Sequence, residues 1–111
     1  ECLSDCDKIF NLFVYPAQSN FCGQKYPLDW CTEIPSGQLT IAGLCPPYSP
    51  RFKPSSWKIC LDAASLVATN TLDLTQHPAD FVTVSFYKVF GFPTGLGALL
   101  VRRDSAPLLF K

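Results

Sequence analysis

Lys88 lies in the segment Phe86-Tyr87-Lys88-Val89-Phe90. An apolar setting of this kind favours a neutral amine, and a neutral amine is the form that attacks an aldehyde to make an imine. A lysine among aromatic residues is also an ordinary snorkelling side chain, so this segment alone leaves both readings open. Two other polar groups stand just past apolar runs. Asp62 closes Trp57-Lys58-Ile59-Cys60-Leu61, and Asn20 follows Asn11-Leu12-Phe13-Val14-Tyr15 across a short loop. With Ser85 and Tyr87 beside Lys88, these segments make a ligand pocket if their ends converge. A carboxylate has a specific use next to an imine-forming lysine: it keeps a pyridine nitrogen protonated, and the protonated ring accepts electrons from a substrate carbanion. The competing role for Asp62 is a helix N-cap after a strand, and its position suits both.

An α/β layer would bring such groups together. Asn11–Tyr15 is a β-rich run stopped by Pro16 and followed by a loop over 17–23. Pro27 suits a first helical position, and Leu28, Trp30, Cys31 and Ile34 share one helical face, which predicts a helix over 27–34 ended by Pro35. A Pro- and Ser-rich connection runs over about 35–56, with the apolar stretch Leu39 to Leu44 inside it. Trp57–Leu61 predicts a second strand with Asp62 at its carboxyl end, where open α/β sheets face a ligand crevice. In the run from Asp80 to Phe86, Val82, Val84 and Phe86 alternate with Thr83 and Ser85, as in a third strand. A turn through Gly91, Gly95 and Gly97 then leads into Ala98–Val101, so strand, turn, strand is the expected order. Strands rich in Val, Ile, Leu and Phe joined by helices or long connections predict an α/β fold.

Composition narrows the function classes. The 111 residues, 48% hydrophobic, suffice for one small domain. Nine basic and nine acidic residues cancel, so no electrostatic footprint for nucleic acid or an anionic membrane is present. No apolar run approaches the roughly 20 residues of a membrane span, and the acidic start Glu1-Cys2-Leu3-Ser4-Asp5 is unlike a signal peptide, so a soluble chain is expected. Six cysteines admit a disulfide framework. Cys60 sits inside an apolar run, however, and the last third of the chain has none, which favours buried free thiols. Cys2 and Cys6 lack the second ligand pair of a zinc site. His77 stands in the turn-like Thr75-Gln76-His77-Pro78 and is expected to be solvated. The glycines at 91, 95 and 97 are not followed by the lysine and serine of a phosphate-binding loop and read as turn residues.

Four segments carry a resemblance: Tyr15-Pro16-Ala17-Gln18-Ser19-Asn20-Phe21, Leu61-Asp62-Ala63-Ala64-Ser65, Asp80-Phe81-Val82, and the long run from Ser85 through Lys88 to Val101. They closely resemble the molybdenum cofactor sulfurases and, more broadly, the class V aminotransferase-type enzymes of the fold-type I pyridoxal-phosphate (PLP) group, with its cysteine desulfurases, selenocysteine lyases and kynureninases. The likeness covers most of the chain from Phe10 onward except the Pro-rich middle. It implies that residues 1–111 are part of the large PLP-binding subdomain, a three-layer α/β unit with a mainly parallel sheet. Carried onto matching positions, it implies that Lys88 holds PLP as a Schiff base and shuttles protons, while Asp62 pairs with the pyridinium nitrogen. Ser85 would bind the phosphate, Tyr87 would donate a hydrogen bond to it, and Asn20 would lie near the ring hydroxyl. The chain departs from the desulfurases in having Tyr87 where histidine is usual, Phe92 between Gly91 and Pro93, and Ser65 where glutamine is usual. Ser65 is therefore not counted as a contact.

For the whole protein the resemblance implies a cytoplasmic homodimer that moves sulfur from L-cysteine, through an enzyme persulfide, to the molybdenum cofactor. The sulfido form so made is needed by xanthine dehydrogenase and aldehyde oxidase. The persulfide loop is not recognisable, and no cysteine from Cys2 to Cys60 is assigned to it. The alternatives are a general cysteine desulfurase or selenocysteine lyase serving another acceptor, and a non-catalytic interaction module.

Overall fold

The computed structural model describes residues 10–37, 57–91 and 95–110. Strands β1 (Asn11–Pro16), β2 (Trp57–Asp62), β3 (Phe81–Ser85) and β4 (Gly97–Val101) lie side by side in chain order in one four-stranded sheet. The first three are parallel, with Phe13 opposite Ile59, Tyr15 opposite Leu61, and Leu61 opposite Val82. β4 returns antiparallel to β3, with Ser85 opposite Gly97. The sheet is thus mainly parallel, as expected, and each of the four runs read as strands supplies one, though the third ends at Ser85 and not at Phe86.

The pleat explains which face is buried, because alternate residues project to opposite sides. Phe13, Tyr15, Ile59, Leu61 and Val82 fall on one side by this register, and Ile59, Leu61 and Val82 are almost wholly buried. Helix α1 (Trp30–Ser36) covers that side through Cys31 and Ile34, with Trp30 against the rings of Phe13 and Tyr15 at 6.3 and 5.3 Å between centroids. The Tyr15 hydroxyl donates to the Pro27 carbonyl at 3.0 Å and lies 3.3 Å from the Cys31 sulfur; burial pushes its pKa above the usual phenol range. On the other side of the sheet Leu12, Val14 and Leu99 are exposed.

Helix α1 begins and ends later than the predicted 27–34. The Leu28 carbonyl accepts the Cys31 N–H at 3.0 Å and the Asp29 carbonyl accepts those of Thr32 and Glu33, both at 2.9 Å, so the first turn forms at Leu28 and Asp29 and not at Pro27. Pro35 does not stop the helix: it sits in the last turn, where the one missing N–H is tolerated, and the helix ends at Gly37 with φ 74°. The rest of the predicted Pro-rich connection, 38–56, lies outside the described residues. A second departure matters more for function. The turn expected after β3 begins instead with a short helix, α2 (Phe86–Phe90), which carries Lys88.

At the end of the sheet away from the strand carboxyl termini, Asp80 joins β2, β3 and the closing segment of the chain. Its carboxylate accepts the Ile59 N–H at 2.9 Å, the Lys58 ammonium at 3.3 Å and the Ser105 hydroxyl. Its backbone is equally engaged, donating to the Ile59 carbonyl and accepting from the Arg102 N–H. Asp80 and Ser105 are buried, so water cannot replace these partners. Asp80→Ala should lower unfolding stability by about 3 kcal/mol, since it leaves the buried Ile59 N–H without an acceptor and the Lys58 ammonium without its counter-charge, although Lys58 and Ser105 still bond each other. Chemical denaturation of the protein measures this, and a loss below about 1 kcal/mol would show that the cluster is not a structural anchor.

Candidate functional site

Parallel pairing sends three connections off the same end of the sheet. The ladder continues past the strands, with the Ala17 N–H on the Asp62 carbonyl at 2.8 Å and the Ala63 N–H on the Thr83 carbonyl at 3.0 Å. After β1 the chain makes a tight reversal: Ser19 and Gln24 pair through their backbones, and Gly23, at φ 72°, takes the left-handed conformation the reversal requires. The Ser19 hydroxyl accepts the N–H groups of Phe21 and Cys22, which leaves Asn20 at the tip of the loop.

After β2, the Asp62 carboxylate accepts the Ala64 N–H at 3.0 Å and the Thr83 hydroxyl at 3.3 Å, both on Oδ1. This is a local turn, not an N-cap: the single 3-10 turn over Leu66–Ala68 begins after Ser65, whose side chain makes no cap bond. Asp62 Oδ2 has no hydrogen bond among the described residues.

After β3, α2 closes at Gly91, with φ 69°, and the Phe86 N–H meets the Leu96 carbonyl. Lys88 lies half-buried within this helix. Its ammonium donates to Asn20 Oδ1 and, at 3.2 Å, to Ser65 Oγ, while the Ser65 hydroxyl donates to the same Asn20 oxygen. Three side chains from three separate connections therefore meet.

Asn20, Ser65, Tyr87 and Lys88 line an open cleft of about 420 Å³, together with Gln18, whose buried Oε1 has no hydrogen-bond partner. Ser85 lines an adjoining cleft of about 520 Å³ with Gly95 and Gly97, and Tyr87 borders both. Asp62 lines neither, but stands at the start of the turn that carries Ser65. The structure thus brings Asn20, Tyr87 and Lys88 together, sets Ser85 next door, and adds Ser65, which was not expected as a contact. Its signals in the chain are its place on the turn after Asp62 and at the position where desulfurases carry glutamine.

The donor set fits PLP. Lys88 supplies an amine for an aldehyde carbon, the hydroxyls of Ser85 and Tyr87 suit a phosphate, and Asp62 has a carboxylate oxygen to spare for a ring N–H. The cleft volumes are those of ordinary cofactor sites, about 300–1,000 Å³. Among the described residues no group of three or more His, Cys, Asp or Glu could hold a metal ion, and no helix is long and apolar enough to cross a membrane.

His77 is less solvated than expected: its Nδ1 is buried without a hydrogen bond and lies 3.7 Å from an Asp29 carboxylate oxygen. The cysteines also divide differently. Cys22, Cys31 and Cys60 are free thiols, but only Cys31 is buried, and Cys22 is exposed because it lies in the reversal after β1; Cys2, Cys6 and Cys45 lie outside the described residues.

A model of the aminotransferase class-V family matches residues 49–109, over half the chain, and so spans β2, β3, α2 and β4 with Asp62 and Lys88. The chain belongs to the aminotransferase class-V family, and its mainly parallel sheet is a piece of the fold-type I architecture. Within that family it is similar to proteins named molybdenum cofactor sulfurase. It is 55% identical over 107 residues to that of Homo sapiens, covering 96% of this chain and 11% of that protein. The Caenorhabditis elegans protein is 46% identical over 101 residues, 91% of this chain and 12% of that one, and the Arabidopsis thaliana protein 46% over 102, at 92% and 12%. The chain spans about a tenth of the length of these relatives.

The thiols offer a check on this part of the structure. The Ser19 hydroxyl and the Gln24 backbone lower the pKa of Cys22, whereas burial raises those of Cys31 and Cys60. Cys22 should therefore be alkylated first and over a lower pH range than the other two, and Ser19→Ala should move its profile upward. Mass-spectrometric mapping after iodoacetamide reads both, and equal labelling of Cys22 and Cys31 near neutrality would contradict the loop geometry.

Proposed function

We propose that the full-length protein is a PLP-dependent sulfurtransferase that takes sulfur from L-cysteine and delivers it to the molybdenum cofactor. The observation that carries this reading is the meeting of Lys88 with Asn20 and Ser65 at the carboxyl ends of parallel strands. The acceptor is favoured over that of a general desulfurase or selenocysteine lyase by 46–55% identity to sulfurases of animals and a plant.

In this reading Lys88 anchors the cofactor through Nζ and later takes the proton from the substrate Cα, for which its amine must be neutral. Bound PLP supplies the electron sink that stabilises the resulting carbanion. Asp62 holds a proton on the ring nitrogen: Thr83 and the Ala64 N–H fix Oδ1, so Oδ2 is left for the cofactor. Ser85 and Tyr87, which border the adjoining clefts, would bind the phosphate with their hydroxyls, and Asn20 would lie near the ring hydroxyl. A cysteine thiolate of the enzyme then attacks the substrate sulfur, breaking its C–S bond so that the carbon skeleton leaves as alanine and the sulfur stays as a persulfide; two electrons from a thiol reductant release that outer sulfur to the molybdenum cofactor at the sulfido level, for use by xanthine dehydrogenase and aldehyde oxidase. The enzyme acts as a cytoplasmic homodimer.

In the full-length protein, Lys88→Ala should abolish the PLP adduct trapped by borohydride and cut alanine formation from L-cysteine by about 10²–10⁴-fold or more. Asp62→Asn should keep the adduct but slow turnover, because a neutral amide cannot hold the ring proton. A Lys88→Ala protein that still traps PLP at its active site would sink the assignment.

A further inference from the structure

We infer that Ser65 is a positioning residue for Lys88. Its hydroxyl oxygen receives the lysine nitrogen whenever that nitrogen is not bonded to a ligand, and so stabilises the state in which an amino acid has taken the place of Lys88 on the cofactor. The inference deepens the reading of Lys88 as the cofactor anchor and rests on it.

The backbone of Lys88 is fixed, whereas the end of its side chain is not. Helix α2 is held at its start by the Phe86 N–H on the Leu96 carbonyl and at its end by the Gly91 N–H on the Tyr87 carbonyl, but a flexible four-carbon stem separates it from Nζ. The nitrogen has hydrogens to give, so acceptors set its place. Two are present, Ser65 Oγ at 3.2 Å and Asn20 Oδ1. The Ser65 hydroxyl has a single proton and places it on Asn20, which turns an oxygen lone pair, and not the proton, toward Lys88. These two acceptors stand on unequal supports. Asn20 is exposed at the tip of a loop. Ser65 lies in a turn tied down on both sides: Ala63 is wholly buried, the Ala64 N–H bonds Asp62 Oδ1, the Val67 N–H bonds the Ala63 carbonyl at 3.0 Å, and Leu66 packs in the core. The Ser65 oxygen therefore keeps its position while the lysine moves to and from it.

Displacement of the lysine gives that fixed oxygen its use. When an amino acid takes the place of Lys88, the carbon–nitrogen double bond to the lysine breaks as one to the incoming amine forms, and the two hydrogens lost by the incoming nitrogen are gained by Lys88. No oxidant or reductant takes part. The freed nitrogen carries its N–H groups in a half-buried place, where an unpaired donor is costly. Ser65 supplies an acceptor there. An imine nitrogen has at most one hydrogen and is held at the ligand carbon, so Ser65 favours the displaced state over the bound one. Ser65 and Lys88 line the same cleft, and the freed nitrogen is thereby kept beside the amino acid whose Cα proton it takes next.

The test adds L-alanine, which has the amine and carboxylate of the substrate but no sulfur, to PLP-loaded full-length protein and follows the absorbance band of the lysine-bound cofactor. Ser65→Ala should still carry a PLP adduct that borohydride traps on Lys88. The L-alanine concentration that displaces half of the lysine should rise about 3–10-fold in this variant, the effect of one ordinary hydrogen bond. Ser65→Thr, which keeps the hydroxyl, should return it to near the wild-type value. A Ser65 that touched the amino acid itself would give the same rise, and Lys88→Ala separates the two cases. With no lysine nitrogen to receive, Ser65→Ala should leave unchanged the affinity of Lys88→Ala protein for the borohydride-reduced conjugate of PLP and L-alanine, measured by calorimetry. An unmoved half-displacement concentration in Ser65→Ala overturns the inference, as does a loss of conjugate affinity of the same size in the Lys88→Ala background. If wild-type protein develops no lysine-bound band with PLP, the cofactor reading itself fails, an outcome distinct from an intact band with an unmoved titration.

Discussion

Parallel pairing of β1, β2 and β3 places three carboxyl ends along one edge of the sheet, and the polar side chains that follow them have nowhere else to gather. Pairing does not stop with the strands, since the first residues beyond β1 and β2 keep bonding to the next strand through Ala17 and Ala63. These two alanines are wholly buried, so the loops leave from fixed points. A slip of one residue in register would turn Ile59 and Leu61 out of the core and carry Asp62 away from Thr83. The burial of that face is what forbids it. Structure at the far end serves the same purpose, with Asp80 binding β2 and β3 to the closing segment.

The position of Lys88 depends on a second constraint, the close return of β4. At Gly97 an added Cβ would stand 2.6 Å from the Val84 carbonyl oxygen, so any other residue would push the strands apart. Because β4 lies so near, the Phe86 N–H can meet the Leu96 carbonyl and hold the start of α2. Gly91 then ends the helix in a left-handed conformation. Five residues make a helix too short to be stable by itself, and α2 exists because its two ends are held. The lysine is therefore presented by a braced turn and not by a free loop, which is what a group that must meet two others at hydrogen-bonding distance requires.

Polar groups near the site are used in pairs, one atom for structure and one left over. Asp62 spends Oδ1 on the Ala64 N–H and Thr83, and Asn20 spends Oδ1 on Ser65 and Lys88. Each side chain is thereby oriented before a ligand arrives, which lowers the cost of binding one. Two adjoining clefts are bordered by Tyr87, one holding the Lys88 amine and the other Ser85.

The strands were legible from the chain because burial of one face imposes an apolar pattern that local residues must carry: Asn11–Tyr15, Trp57–Leu61 and Ala98–Val101 fall on strands, and of the expected Asp80–Phe86 the strand takes Phe81–Ser85, while Phe86 opens α2. Asp62 and Lys88 could be singled out for the same reason, as polar residues where apolar runs end. Tertiary structure alone decided the rest. The chain contains no local mark of register, so the meeting of Asn20, Ser65 and Lys88 came from strand pairing. Helix α2 read as a turn because five residues are too few for a helical period. Helix α1 started late because the Pro27 carbonyl is taken by the Tyr15 hydroxyl and the first turn closes on the carbonyls of Leu28 and Asp29. Ser65 was not counted as a contact because serine stands where glutamine is usual; only strand pairing shows that its shorter side chain still meets Asn20 and Lys88.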